Sequence, residues 1–179
     1  MKVRVDELPE AGRLIHFHRD ASWFAGITES LEKAREITLA RPLNADLELT
    51  PEQGQVKISG RVQATIQLPC SRCLQDFTSA IDESIFLVLL RPLADETCDE
   101  VDLRAEDLNT EFFDGVSIHL DGIIVEEIFL ALPQKPLCQT ACKGLCPDCG
   151  VNLNLETCTC EGKATGSAFA ALKALKIDK

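Results

Sequence analysis

Residues 55–68 alternate strictly between apolar and polar. Val56, Ile58, Val62, Ala64, Ile66 and Leu68 fall on one side, and Lys57, Ser59, Arg61, Gln63, Thr65 and Gln67 on the other. A period of two is the mark of a strand with one dry and one wet face. Upstream, Ile37, Leu39, Leu47 and Leu49 alternate with polar neighbours, so 36–49 reads as a second extended stretch. Arg41-Pro42 should break or bulge it, because proline has no N–H to give to a ladder. Pro51-Glu52-Gln53-Gly54 reads as a turn. The central strand ends at Pro69, and Cys70-Ser71-Arg72-Cys73 follows. Phe77, Ile81, Ile85, Leu87 and Leu89 then mark a third strand over 74–90. The simplest geometry is an antiparallel hairpin with the cysteine pair at its tip.

The flanks have the period of helices. Asp20 can cap a helix over 20–35, with Trp23, Phe24, Ile27 and Leu31 on one face. A helix from about 120 to 132 should bury Leu120, Ile123, Ile124, Ile128 and Ala131 and stop at Pro133. A short helix over 167–176 would turn Phe169, Leu172 and Leu175 inward. The expected fold is α+β: a curved, mostly antiparallel sheet with flanking helices and a cysteine-rich C-terminal tail. The expected division is a core over 1–135 carrying the cysteine hairpin, and a metal-binding tail with its helix over 136–179.

Charge and cysteine content sharpen this picture. The net charge is −11, which is unfriendly to phosphate backbones and friendlier to a basic protein partner. Residues 94–114 hold nine acids and one base, Arg104, and read as a solvated acidic loop or a contact surface for such a partner. No apolar run is long enough to span a membrane, and the first residues lack the apolar stretch of a signal peptide. The expected compartment is the cytoplasm, where thiols stay reduced. Nine cysteines there point to metal or redox chemistry rather than disulfides.

The cysteines sort by spacing. Cys146-Pro147-Asp148-Cys149-Gly150 offers two sulfurs on one side of a tight turn, and Cys158-Thr159-Cys160 lies just downstream. Cys146, Cys149, Cys158 and Cys160 make a plausible closed Cys₄ site for Zn²⁺. Cys70 and Cys73 form another CxxC, and Cys138 and Cys142 a CxxxC. Neither pair closes a tetrahedron alone. Together they do so if the 120–132 helix returns the chain to the hairpin tip, giving one or two zinc ions per chain. The competing reading of Cys70 and Cys73 is a redox dithiol, but that motif opens a helix after a strand, and here it joins two strands. Cys98, alone in the acidic stretch, reads as a free thiol. His16 and His18 alternate on an extended stretch and, like His119, are candidate ligands that read rather as surface residues, and Glu126 and Glu127 have no visible catalytic partner. All-cysteine quartets are structural, so no enzymatic activity and no small-molecule substrate are expected.

Several segments resemble one family closely. They are Pro69-Cys70-Ser71-Arg72-Cys73-Leu74, Leu130-Ala131-Leu132-Pro133, Pro136-Leu137-Cys138, the run from Cys142 to Asn154, and Phe169 to Leu175. Together and in this order they resemble the large ribosomal RNA subunit accumulation family. The resemblance implies a part in ribosome biogenesis, with a ribosomal protein, an assembly factor or pre-ribosomal RNA as partner. It also favours pairing Cys70 and Cys73 with Cys138 and Cys142, since some relatives keep this set without the later quartet. The leading expectation is a zinc-stabilised scaffold. The alternatives are a direct RNA binder using Arg61, Arg72, Lys143 and Lys163, and a thiol–disulfide redox protein.

Overall fold

The alternating segment is the centre of the molecule. In the computed structural model, which describes residues 1–29, 37–91 and 108–160, it forms β4 (Gln55–Pro69). β4 pairs antiparallel with β3 (Thr38–Glu52) on one side and β5 (Asp76–Leu90) on the other. All six residues assigned to the dry face of β4 are buried. Gln53 and Gly54 link β3 to β4 with φ of 48° and 86°. Two positive φ values in a two-residue loop make the tight hairpin turn whose twist matches that of the strands. Pro51 and Glu52 therefore belong to the strand rather than the turn. The ladder between β3 and β4 shifts register at Arg41, so the expected irregularity at Arg41-Pro42 is a bulge inside one long strand.

The sheet is wider than the three long strands. β2 (Arg13–Arg19) adds antiparallel to the outer edge of β3, and β6 (Thr110–Phe112) adds in parallel to the last three residues of β5. A separate two-stranded sheet joins β1 (Lys2–Arg4) to β7 (Ser117–His119). The three-residue β1, β6 and β7 are too short to show a period, and long-range pairing alone makes them strands, whereas β2 alternates, with Ile15 and Phe17 buried between exposed neighbours.

Two helices seal the dry face. α1 (Ala21–Thr28) is capped by the Asp20 carboxylate, which accepts from the Trp23 N–H at 3.1 Å, and it lies over β3. The expected extension of this helix past residue 29, including Leu31, falls outside the described residues, as does the 167–176 helix. α2 (Leu120–Ala131) buries Leu120, Ile123, Ile124, Val125 and Ile128 and packs on β4 and β5. Phe24 and Phe129 stack at 6.2 Å, and Trp23 Nε1 donates to Asp121 at 2.8 Å, so the two helices are fixed to each other. α2 thereby returns the chain to the β4–β5 tip, where the cysteines stand.

Candidate metal centre

The tip between β4 and β5 is built as a knuckle. The Cys70 N–H donates to Gln75 O and the Leu74 N–H to Cys70 O, both at 2.9 Å. The Arg72 N–H points at Cys70 Sγ at 3.5 Å. The same turn recurs in the tail: the Cys146 N–H donates to Val151 O at 2.8 Å and the Gly150 N–H to Cys146 O at 2.9 Å. In both, the residue after the second cysteine takes positive φ, 58° at Leu74 and 74° at Gly150. Glycine accepts this conformation freely. A leucine there costs about 1 kcal/mol, and Leu74 is 66% exposed, so burial returns little. Leu74→Gly should raise the urea midpoint by an amount equivalent to about 1 kcal/mol, with unchanged slope. A lower midpoint would mean that the leucine side chain itself supports the tip.

The two knuckles sit in two groups of four thiols. Cys70, Cys73, Cys138 and Cys142 form one, and Cys146, Cys149, Cys158 and Cys160 the other. Within each group all four sulfurs lie within 4.8 Å of one another. Cys70 and Cys142 are 3.8 Å apart and Cys73 and Cys138 3.6 Å, and in the other group Cys149 and Cys158 are 3.6 Å apart and Cys146 and Cys158 3.3 Å. These spacings are far beyond the roughly 2.05 Å of a disulfide. They approach the edge of about 3.8 Å of a sulfur tetrahedron around an ion held at about 2.3 Å. Both groups could therefore hold a metal ion. The first is deep, with Cys70, Cys73 and Cys142 buried. In the second, Cys149 and Cys160 are exposed.

The thiols are tuned to release protons unevenly. Burial pushes Cys70 up, but N–H donors from Cys138, Cys73 and Arg72 outweigh it and leave that thiol at about 6. The N–H groups of Cys149 and Asp148 hold Cys146 at about 7. Cys138 is pushed up to about 12 by burial and by the neighbouring Cys73 and Cys142 sulfurs, and Cys160 to about 12 by Cys158 and Cys149. Burial pushes Cys142 up as well, but the Gly144 N–H and Asn154 outweigh it. In the first group both Cys70 and Cys142 therefore lie below the ordinary thiol value, and in the second Cys146 does, while neighbouring sulfurs keep Cys138 and Cys160 protonated. A cation among the four sulfurs removes the repulsion between thiolates.

Backbone and side chains lock the two groups to the hairpin and to each other. The Ser71 N–H donates to Pro136 O at 2.8 Å, and the Leu145 N–H to Arg72 O at 3.2 Å. The Arg72 guanidinium donates to Cys142 O at 2.7 Å. Asn154 Nδ2 donates to Cys142 Sγ at 3.3 Å, while Asn154 Oδ1 accepts from the Lys143 N–H at 2.8 Å. Asn154 thus belongs to the loop of the second group and supports a sulfur of the first. Sequence spacing gave no sign of this, because the contact depends on how the tail folds back.

The remaining candidates stand apart from the cysteines. His16 and His18 are exposed on β2, facing Asp46 at 2.6 Å and Asn44 at 2.7 Å, and His119 is exposed at the start of α2. Cys98 and Lys163 lie outside the described residues. Arg61 is paired with Asp82 across the sheet, with a second bond at 2.7 Å.

Comparisons with known proteins converge on one family. The model of the family described as large ribosomal RNA subunit accumulation protein YceD matches residues 58–176. An uncharacterised protein of Mycobacterium leprae is 30% identical over 115 residues, covering 64% of this chain and 51% of its own length. A second, from Mycobacterium tuberculosis, is 31% identical over 117 residues, covering 64% and 53%. An Arabidopsis thaliana protein named as a chloroplastic homologue of the family is 22% identical over 157 residues, covering 75% and 49%. The chain spans about half the length of these curated relatives. No solved structure matches it.

Proposed function

The chain belongs to the large ribosomal RNA subunit accumulation protein family, and from that premise we propose that it is a zinc-stabilised, non-enzymatic scaffold acting in ribosome biogenesis. The observation that carries this reading is the pair of all-cysteine groups, each with four sulfurs in mutual reach. Four thiolates suit Zn²⁺, and a Cys₄ shell leaves no open position for a reacting water or substrate. When bound, the ion supplies cross-linking rather than chemistry. Cys70, Cys73, Cys138 and Cys142 would tie the tail to the sheet, and Cys146, Cys149, Cys158 and Cys160 would close the tail on itself. Thiols kept as ligands need a reducing compartment, which in this reading is the cytoplasm; among the described residues, no helix is long and apolar enough to cross a membrane.

The partner is then a ribosomal protein or assembly factor held by protein contacts. Direct phosphate binding draws little support: Arg61 is taken by Asp82, Arg72 by Cys142 O, and the net charge is −11. In cells lacking the protein, large-subunit RNA should fall relative to small-subunit RNA. Protein purified at native salt should retain large-subunit components after RNase treatment. Loss of every such component on RNase, with steep salt dependence, would favour the RNA-binding reading.

A further inference from the structure

Among the described residues, the five-stranded sheet has a long open edge. β6 covers only Val88, Leu89 and Leu90 of β5. Over Asp76–Leu87, β5 pairs with β4 on one side and with no strand on the other, among the described residues. No other backbone hydrogen bond between described residues reaches this stretch. A strand edge left in this state is a template for a further strand.

The charge along the edge says what kind. β5 carries Asp76, Asp82 and Glu83 and no Lys or Arg. Asp82 is neutralised by Arg61 on the wet face. On the helix side Glu83 stands exposed and, with Glu126, acts on Glu127 of α2, and no ion pair between described residues involves these three. Half-buried Glu127 has its carboxyl pushed up first by burial and then by the charges of Glu126 and Glu83. Glu126 also lines a groove of about 370 Å³ between α2 and the β5–β6 end, with Glu111, Phe112 and Phe113 among its other walls.

We propose that an extended segment of a protein partner, bearing Lys or Arg on alternate residues, adds to the sheet along the free edge of β5 with its cations facing Glu83, Glu126 and Glu127. Backbone pairing supplies affinity, and the carboxylates select a basic strand. A second copy of this chain fits poorly, because two β5 edges would bring like charges together. The inference rests on the scaffold reading and gives its partner a chemistry and a place.

The test uses the full metal-loaded chain and a short synthetic peptide of alternating Lys and Val, with a Glu/Val peptide of equal length as control. The Lys/Val peptide should bind and slow hydrogen exchange of β5 amides between Asp76 and Leu87, leaving β2 unchanged. Glu83→Lys/Glu126→Lys should weaken binding at least about tenfold, the loss of roughly one favourable charge contact, with thermal midpoint and metal content retained. Equal binding of the Glu/Val peptide would overturn the proposal, as would protection on β2 or β5-mediated self-association. RNase-resistant association with large-subunit components that survives the double variant would also overturn it while leaving the scaffold function standing.

Discussion

Chelating the metal should release two equivalents of Zn²⁺ per chain and unravel residues 138–160, while the β4–β5 hairpin keeps its structure. The asymmetry follows from where apolar surface is buried. β4 and β5 belong to the main core, sealed by α2 through Ile123, Ile124 and Ile128. Among the described residues, the tail shares only a small cluster with the hairpin tip, Cys70, Cys73 and Cys142, with Phe77, Leu137, Cys138 and Leu145 partly buried around it. Ordering a backbone costs about 1–2 kcal/mol per residue, more than that cluster and a few turn hydrogen bonds offset. Metal binding at such a site supplies on the order of 10 kcal/mol or more and becomes the folding energy of the tail. Cys146→Ser/Cys149→Ser should hold one equivalent. The remaining site should bind about tenfold or more weaker than in the wild type, because Asn154 no longer supports Cys142 Sγ. Elemental analysis and limited proteolysis read both effects. A tail that stays protease-resistant after complete metal removal would refute this account.

Gly60→Ala should cost about 3 kcal/mol, the upper part of the range for overpacking a core. Gly60 faces Leu47 across the β3–β4 ladder. A Cβ at this position would lie 2.1 Å from the Asp46 carbonyl oxygen and 2.9 Å from both Cα and Cδ2 of Leu47. Two of those three atoms are backbone, so rotating a side chain gives no relief, and the two strands must separate where Leu47 is fully buried. Such a loss is a large part of the 5–15 kcal/mol that stabilises an ordinary domain. It should show as a lower urea midpoint, with the metal content of the folded protein unchanged. A variant within a few tenths of a kcal/mol of wild type would mean that β3 yields easily at this point.

Much of the candidate centre could be read from spacing. The CxxC pairs had to be turns, and a pair supplies only half a tetrahedron, so each needed partners elsewhere. For Cys146 and Cys149 those partners were local, and Cys158 and Cys160 stood close enough in the chain to name. For Cys70 and Cys73 the partners lie more than sixty residues away. The pattern supplied Cys138 and Cys142 as candidates, but the packing of α2 decides whether the chain comes back to the tip. The positive φ after each CxxC suits glycine at Gly150; at Leu74 it follows from the knuckle's hydrogen bonds, against the residue's own preference.

Residue pattern was enough for the elements whose period is long enough to count: the hairpin of β4 and β5, the bulged β3, the cap of α1 and the buried stripe of α2. Burial of one face imposes period two on a strand and 3.6 on a helix, and both leave their mark in every residue. Tertiary structure alone decided the rest. β1, β6 and β7 exist because partners offer them hydrogen bonds, and three residues cannot encode a period. Arg61 and Arg72, which as sequence looked available to phosphates, are occupied by Asp82 and Cys142 O. The edge of β5, open among the described residues, was likewise invisible, because strand pairing is a property of neighbours and the chain records only the strand.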